Sequence, residues 1–135
     1  MPRTRSKYVL KDSAQQVIGG ILLSGPFVVT EEVWNIASQM STLQSLGNVL
    51  LVATIGYLGL YYADKDRHAE EEADIVGIPT RFISLMSVSF LSVLTLIYLF
   101  NAPAAFGASQ ATTIKVVTIG GLFSVVGAAT ADSLF

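Results

Sequence analysis

Four apolar stretches, each long enough to cross a lipid bilayer, constrain the fold of this 135-residue chain more than any other feature. They cover about 16–37, 43–63, 78–100 and 112–134. A hydrocarbon core about 30 Å thick takes about 20 helical residues at 1.5 Å per residue. Only 13% of the residues are charged, against about 25% in typical soluble domains, and the mean hydropathy is +0.59. The sequence therefore predicts an all-α polytopic membrane protein, a single four-transmembrane-helix bundle over 1–135.

The distribution of Lys and Arg predicts how the bundle is oriented. Basic residues cluster before the first stretch and around the acidic loop 64–77, at Arg3, Arg5, Lys7, Lys11, Lys65, Arg67 and Arg81. The other two loops carry only Lys115. Because cytoplasmic loops are enriched in Lys and Arg, both termini and the acidic loop are predicted to be cytoplasmic, in a multi-pass protein of the plasma membrane.

Two adjacent carboxylates, Glu31 and Glu32, interrupt the first apolar stretch. An ionised side chain inside a bilayer is costly and normally has a partner, water or a function. Pro26 leaves the carbonyl of Leu22 without its helical donor, which a nearby hydroxyl could replace. These features predict an ion pathway, whose candidate residues are Ser24, Pro26, Thr30, Glu31, Glu32 and, in the last stretch, Asp132.

The glutamates have two interpretations. They could form a ring of carboxylates in a homo-oligomer, as in cation-selective filters, or one of them could carry protons or sodium. Alternatively, both lie at the outer interface, where they are hydrated or hydrogen-bonded to Asn35 and Ser38. On a continuous helix Glu31 shares a face with Ser24, which favours Glu31 for the inward position.

Asp132 also has two interpretations. It could mark the inner mouth of a conduction path whose outer mouth is at Glu31, or it could form a salt bridge with Lys11 or Arg81. Because the two carboxylates lie near opposite leaflets, we expect no direct contact between them.

Small residues dominate the fourth stretch. Gly120, Ser124, Gly127 and Ala131 follow one helix face, which favours close helix packing in a membrane. Hydroxyl side chains recur in the third stretch, at Ser84, Ser87, Ser92 and Thr95. Packing is the interpretation that we favour for both patterns, and a hydrated pathway is the alternative.

Catalytic machinery is hard to find in the sequence. The chain has no cysteine and a single histidine, His68, so neither a Ser-His-Asp arrangement nor a cysteine nucleophile can be assembled. Alternating acids around His68, at Asp64, Asp66 and Glu70, could suggest a hard-cation site, but they do not follow the glycine-containing calcium-loop pattern. We expect a solvated loop there and leave metal binding unassigned. We expect no enzyme, no cofactor and no nucleic-acid partner.

Three segments together resemble a known family: GPFVVTEEVW at 25–34, PTRFISLM at 79–86 and SVVGAATADSLF at 124–135. They are similar to an uncharacterised family of small integral membrane proteins, a domain of unknown function, and most of all to its short four-span members from halophilic archaea. The resemblance covers nearly the whole chain. It implies a class of membrane protein and no mechanism.

Two functions remain open at this point. The first is an oligomeric cation or proton channel or transporter that uses the intramembrane carboxylates. It requires a homo-oligomer, because one four-helix bundle is too thin to enclose a wide pore. The second is a structural or regulatory membrane module that binds a partner protein through the glutamates and the acidic loop, without transport.

Overall fold

The computed structural model describes residues 10–61, 74–75 and 77–134. In chain order the elements are α1 (Leu10–Val28), α2 (Glu31–Gln39), α3 (Thr42–Tyr61), β1 (Asp74–Ile75), β2 (Ile78–Pro79), α4 (Thr80–Leu99), α5 (Ala102–Ala105) and α6 (Gln110–Leu134). The two short strands pair antiparallel, Asp74 with Pro79 and Ile75 with Ile78. Most of the basic arm at 1–13 and of the acidic loop 64–77, with its candidate cation site, lies outside the described residues.

The prediction of an all-α polytopic membrane protein is confirmed by the helices. Three of them are long and apolar enough to cross a membrane singly: Thr42–Tyr61, Thr80–Leu99 and Gln110–Asp132. Ser13–Val28 and Glu31–Gln39 pass the same test only together, as a pair bent by 82°. The described part of the chain therefore holds three or four membrane spans. The cytoplasmic termini and the plasma membrane remain predictions.

The first apolar stretch, predicted as one span over 16–37 with a break at Pro26, is divided into α1 and α2 at Val29 and Thr30 instead. α1 contains Pro26 and ends at Val28, and Thr30 is extended, with φ −93° and ψ 141°. The Thr30 hydroxyl donates to the Phe27 carbonyl at 2.8 Å and accepts from the Val33 amide at 3.4 Å. Threonine is a preferred N-cap because its oxygen satisfies a free amide at a helix start. The hydroxyl thus ends one helix and begins the next.

α2 lies across one end of the bundle, which we call the α2 end; the opposite end, where α1 begins and α6 finishes, is the terminal end. Trp34 fixes α2 there, because its indole Nε1 donates to the Val28 carbonyl at 2.8 Å. The same ring stacks on Phe106, with centroids 5.3 Å apart. Val33 and Ala37 are buried beside it. The apolar face of α2 is therefore folded onto the bundle.

α6 packs against α1, α3 and α4. Its closest neighbour is α1, which runs antiparallel to it: a Cβ added to Gly127 would lie 2.1 Å from the Gly19 carbonyl oxygen. The other small residues of the predicted packing face also lie against neighbours. Gly120 lies against Val28 and Val93 of other helices, whereas Ser124 lies against Gly20 and Ala131 against Gly19, with no space for larger side chains.

Substituting Ala for Gly127 or Gly19 is expected to lower the free energy of unfolding by about 1–3 kcal/mol, because the added methyl group meets backbone that cannot move aside. Thermal or denaturant unfolding in detergent micelles measures the change. Gly47→Ala is the matched control: none of the described atoms lies within 4 Å of its added Cβ, so stability should hold or rise slightly. Equal stability of all three variants would contradict the close contact of α1 and α6.

Candidate functional site: a buried ion pair and a polar column

A buried ion pair joins α4 to α6 at the terminal end. Arg81 Nη1 lies 2.9 Å from Asp132 Oδ1 and 3.0 Å from Oδ2. Arg81 is 2% exposed and Asp132 is 0% exposed. Of the two interpretations of Asp132, the structure shows the salt bridge, and its partner is Arg81. Charges this deeply buried are retained only where a partner compensates for the lost hydration.

Local structure places Arg81 at this position. Gly77 has a φ of +81°, a conformation that costs glycine little, and it turns the chain between β1 and β2. Pro79 then precedes the first turn of α4, where its missing amide removes no hydrogen bond. Arg81 is consequently held in the first turn of α4, beside the last turns of α6.

A second polar contact lies one turn further along α4. Ser84 Oγ donates to Gln16 Oε1 at 2.7 Å, and Ser13 Oγ lies 3.2 Å from Ser84 Oγ. Gln16 is fully buried. Its Nε2 has no hydrogen-bond partner among the described residues. A buried amide donor of this kind is costly to leave unsatisfied.

Hydroxyl groups continue the polar surface toward the middle of the bundle. A Cβ added to Gly20 would lie 2.6 Å from Ser124 Oγ and 3.6 Å from Ser92 Oγ, so three helices meet there. Ser24 is buried, and its Oγ donates to the Gly20 carbonyl at 2.7 Å. Within the described part of the chain, Ser124 Oγ is also without a partner.

We call this set the polar column. It begins at the ion pair, follows the interface of α1, α4 and α6, and consists of Ser13, Gln16, Gly20, Ser24, Arg81, Ser84, Ser92, Ser124 and Asp132. It does not reach the α2 end. Beyond Ser124, Gly120 lies against Val28 and Val93, which belong to a buried apolar cluster with Trp34 and Val116. The polar column therefore ends at an apolar cluster on its way toward the α2 end.

The predicted glutamates lie away from this column. Glu31 and Glu32 are exposed residues in the first turn of α2, where carboxylates are stabilised by the helix dipole. The inward position of Glu31 in a homo-oligomer stays a prediction, but the break at Thr30 separates Glu31 from the helix face of Ser24. Asp132 is at the other end of the bundle, so the ion-pathway candidates are not brought together.

Neither of the two hydroxyls near Pro26 replaces the helical hydrogen bond that the proline removes. Ser24 donates to the carbonyl of Gly20, and Thr30 donates to that of Phe27, so neither satisfies the Leu22 carbonyl. Pro26 itself is exposed.

The sequence carries a weak signal for two buried residues that are not among the predicted candidates. Gln15 and Gln16 are both buried, although they stand at the edge of the first apolar stretch. Two adjacent amides directly before an apolar run are the pattern that could have identified them. The described residues contain no group of three or more His, Cys, Asp or Glu side chains that could hold a metal ion.

Removing one partner of the ion pair should destabilise the fold strongly. Arg81→Ala and Asp132→Ala are each expected to lower the free energy of unfolding by about 3–5 kcal/mol, because the other charge stays buried. The double variant Arg81→Ala/Asp132→Ala removes both charges and should lose less than the sum of the two single losses. Unfolding of all four proteins in detergent gives the comparison, and strictly additive losses would contradict coupling between the two charges.

Comparison with known proteins assigns the chain to a family. A family model described as "Putative integral membrane protein (DUF2391)" matches residues 2–134. No curated protein and no solved structure matches the chain. The predicted likeness to members from halophilic archaea stays a prediction. The match covers nearly the whole chain, so the protein belongs to the DUF2391 family of integral membrane proteins.

Proposed function

We propose that this integral membrane protein passes protons or monovalent cations along the interface of α1, α4 and α6, with Asp132 as the ionisable group. The observation that carries the proposal is the burial of Asp132, 0% exposed, within a membrane protein. Ionisable side chains that face the interior of a membrane bundle commonly mark proton or ion pathways, because burial without a role is costly.

The polar column supplies the groups that a proton or small cation needs after it leaves the ion pair. Gln16 and Ser84 follow the pair directly, and Ser24 and Ser124 lie about two turns further along. Amide and hydroxyl oxygens replace parts of an ion's hydration shell, as in selectivity filters. Arg81 holds the carboxylate when the site is empty, and an arriving cation competes with its guanidinium.

The apolar cluster at Val28 and Val93 separates the column from the α2 end. A hydrophobic constriction of this kind blocks ions until the surrounding helices move apart. Passage therefore requires a change in the packing of α1 against α6. A transporter that alternates between two arrangements fits this division better than a permanently open channel.

The glutamates have a smaller role in this proposal. Exposed carboxylates at Glu31 and Glu32 raise the local concentration of cations near the α2 end through their field, without binding them in the membrane. The column lies inside one chain, so the polar part of the path needs only one bundle. A homo-oligomer remains a prediction, for which exposed apolar side chains such as Leu43, Leu50 and Leu99 offer surface.

Ion flux into proteoliposomes tests the proposal. Asp132→Asn should reduce proton, Na⁺ or K⁺ flux by about 100-fold. This factor corresponds to ~3 kcal/mol, the cost of a charged side chain at the centre of a bilayer. Glu32→Gln is the matched control, because it neutralises an exposed carboxylate. It should change flux only about two- to threefold at low salt and not at high salt, where its field is screened.

Flux that is unchanged in a folded Asp132→Asn variant would overturn the role of Asp132. A wild-type protein that passes none of the three ions across a range of pH would overturn transport altogether.

The second candidate function is a membrane module that binds a partner protein. It is favoured by the exposed acidic start of α2, where Glu31, Glu32 and Asn35 form a polar surface beside the membrane. Under this function no variant shows flux, and the double variant Glu31→Lys/Glu32→Lys loses a cross-linked partner in intact cells, while Asp132→Asn keeps it.

A further inference from the structure

A groove of about 500 Å³ opens at the α2 end, on the side of the bundle away from the polar column. It lies between α2, α3 and α6 and is lined by Ile36, Met40, Gln44, Gly47, Asn48, Ile119 and Leu122. Its size falls within the range of sites for small molecules, about 300–1,000 Å³.

The groove is polar on one side and apolar on the other. Ile119 and Leu122 supply the apolar wall from α6. Gly47 leaves α3 without a side chain there, and no described atom would lie within 4 Å of its Cβ. Asn48 and Gln44 supply amides, and Asn48 Nδ2 donates to Thr118 Oγ1 at 3.4 Å. Such a surface suits an amphipathic ligand.

A positive charge stands at one end of the groove. Lys115 is half-buried one turn before Ile119 on α6, and its Nζ donates to the carbonyl of Met40. Among the Lys and Arg residues that the structure describes, it is the one at the α2 end, since Lys11 and Arg81 lie at the terminal end. The nearest acids of α2, Glu31 and Glu32, begin that helix, about 12 Å from Met40 at 1.5 Å per residue.

The direction of the groove matches the bilayer. From Lys115 to Leu122 the wall of α6 descends about 10 Å along the helix axis. This wall starts beside α2, which lies across the end of the bundle because it is bent by 82° relative to α1. From there the wall runs toward the middle of the membrane. A charged group at the interface and an apolar path below it are the arrangement of a phospholipid.

We propose that the groove is a binding site for one anionic phospholipid. The headgroup phosphate binds the ammonium group of Lys115, and one acyl chain lies over Gly47 against Ile119 and Leu122. Basic side chains near a membrane surface bind anionic lipids preferentially. The ammonium group of Lys115 lies beside Met40 at one end of the groove, which complements an anionic headgroup rather than the apolar surface of a second copy.

Native mass spectrometry of the purified full chain tests this with phosphatidylglycerol and phosphatidylcholine of equal acyl length. The wild type should retain one phosphatidylglycerol, with about fivefold preference over phosphatidylcholine. Lys115→Gln should abolish the preference, whereas Lys115→Arg should keep it. Gly47→Leu should abolish retention of both lipids, because its side chain fills the acyl path.

Thr54→Leu is the matched control, since it adds an apolar side chain at an exposed position of α3 outside the groove, and it should bind like the wild type. Retention of phosphatidylglycerol by folded Gly47→Leu, or an unchanged preference in Lys115→Gln, would overturn the proposal. So would a dimer that forms without lipid and that Gly47→Leu dissociates. Should Lys115→Gln fail to fold, the comparison of Gly47→Leu with Thr54→Leu still decides the outcome.

Discussion

The backbone contact between α1 and α6 is the constraint on which the rest of the bundle depends. Lipid tails are as apolar as the helices that they surround, so association in a membrane relies on close packing. Gly19 and Gly127 allow the two backbones to touch, and a Cβ on either would come within 2.2 Å of the other's carbonyl oxygen. That contact sets the distance between α1 and α6. At this distance the hydroxyls of Ser24 and Ser124 face the same interior, and Asp132 lies beside α4.

The ion pair gives the bundle two unlike halves. At the terminal end, Arg81 and Asp132 are both removed from solvent, and the interior next to them is lined by amides and hydroxyls. At the α2 end, Trp34 and Val28 belong to an apolar cluster. Among the described residues, the buried charges thus lie at the terminal end. The proposed transport depends on this asymmetry, because an ion can enter the column without crossing the constriction.

The candidate site was only partly accessible to sequence reasoning. Asp132 was singled out because a carboxylate near an apolar run is conspicuous, and Arg81 was one of its named alternatives. Gln16 was missed, since a glutamine at the edge of an apolar stretch looks the same whether it faces solvent or a neighbouring helix. The prediction that Glu31 shares a face with Ser24 assumes a helix that continues through Thr30, whereas α2 begins after Thr30.

The sequence by itself determined the helices, the family and the membrane class, because the length and hydrophobicity of a segment decide whether it can satisfy its backbone and lie in lipid. It also marked Gly127 and Ser124 as small residues on one face. Only the tertiary structure decided which carboxylate is buried. Whether Thr30 continues a helix or caps a new one depends on Trp34 docking against the end of α1. Likewise, the partner of Asp132 depends on how α4 and α6 pack. The second of these is a contact between residues 51 positions apart, so no local pattern could reveal it, whereas the first joins Trp34 to Val28, six residues before it.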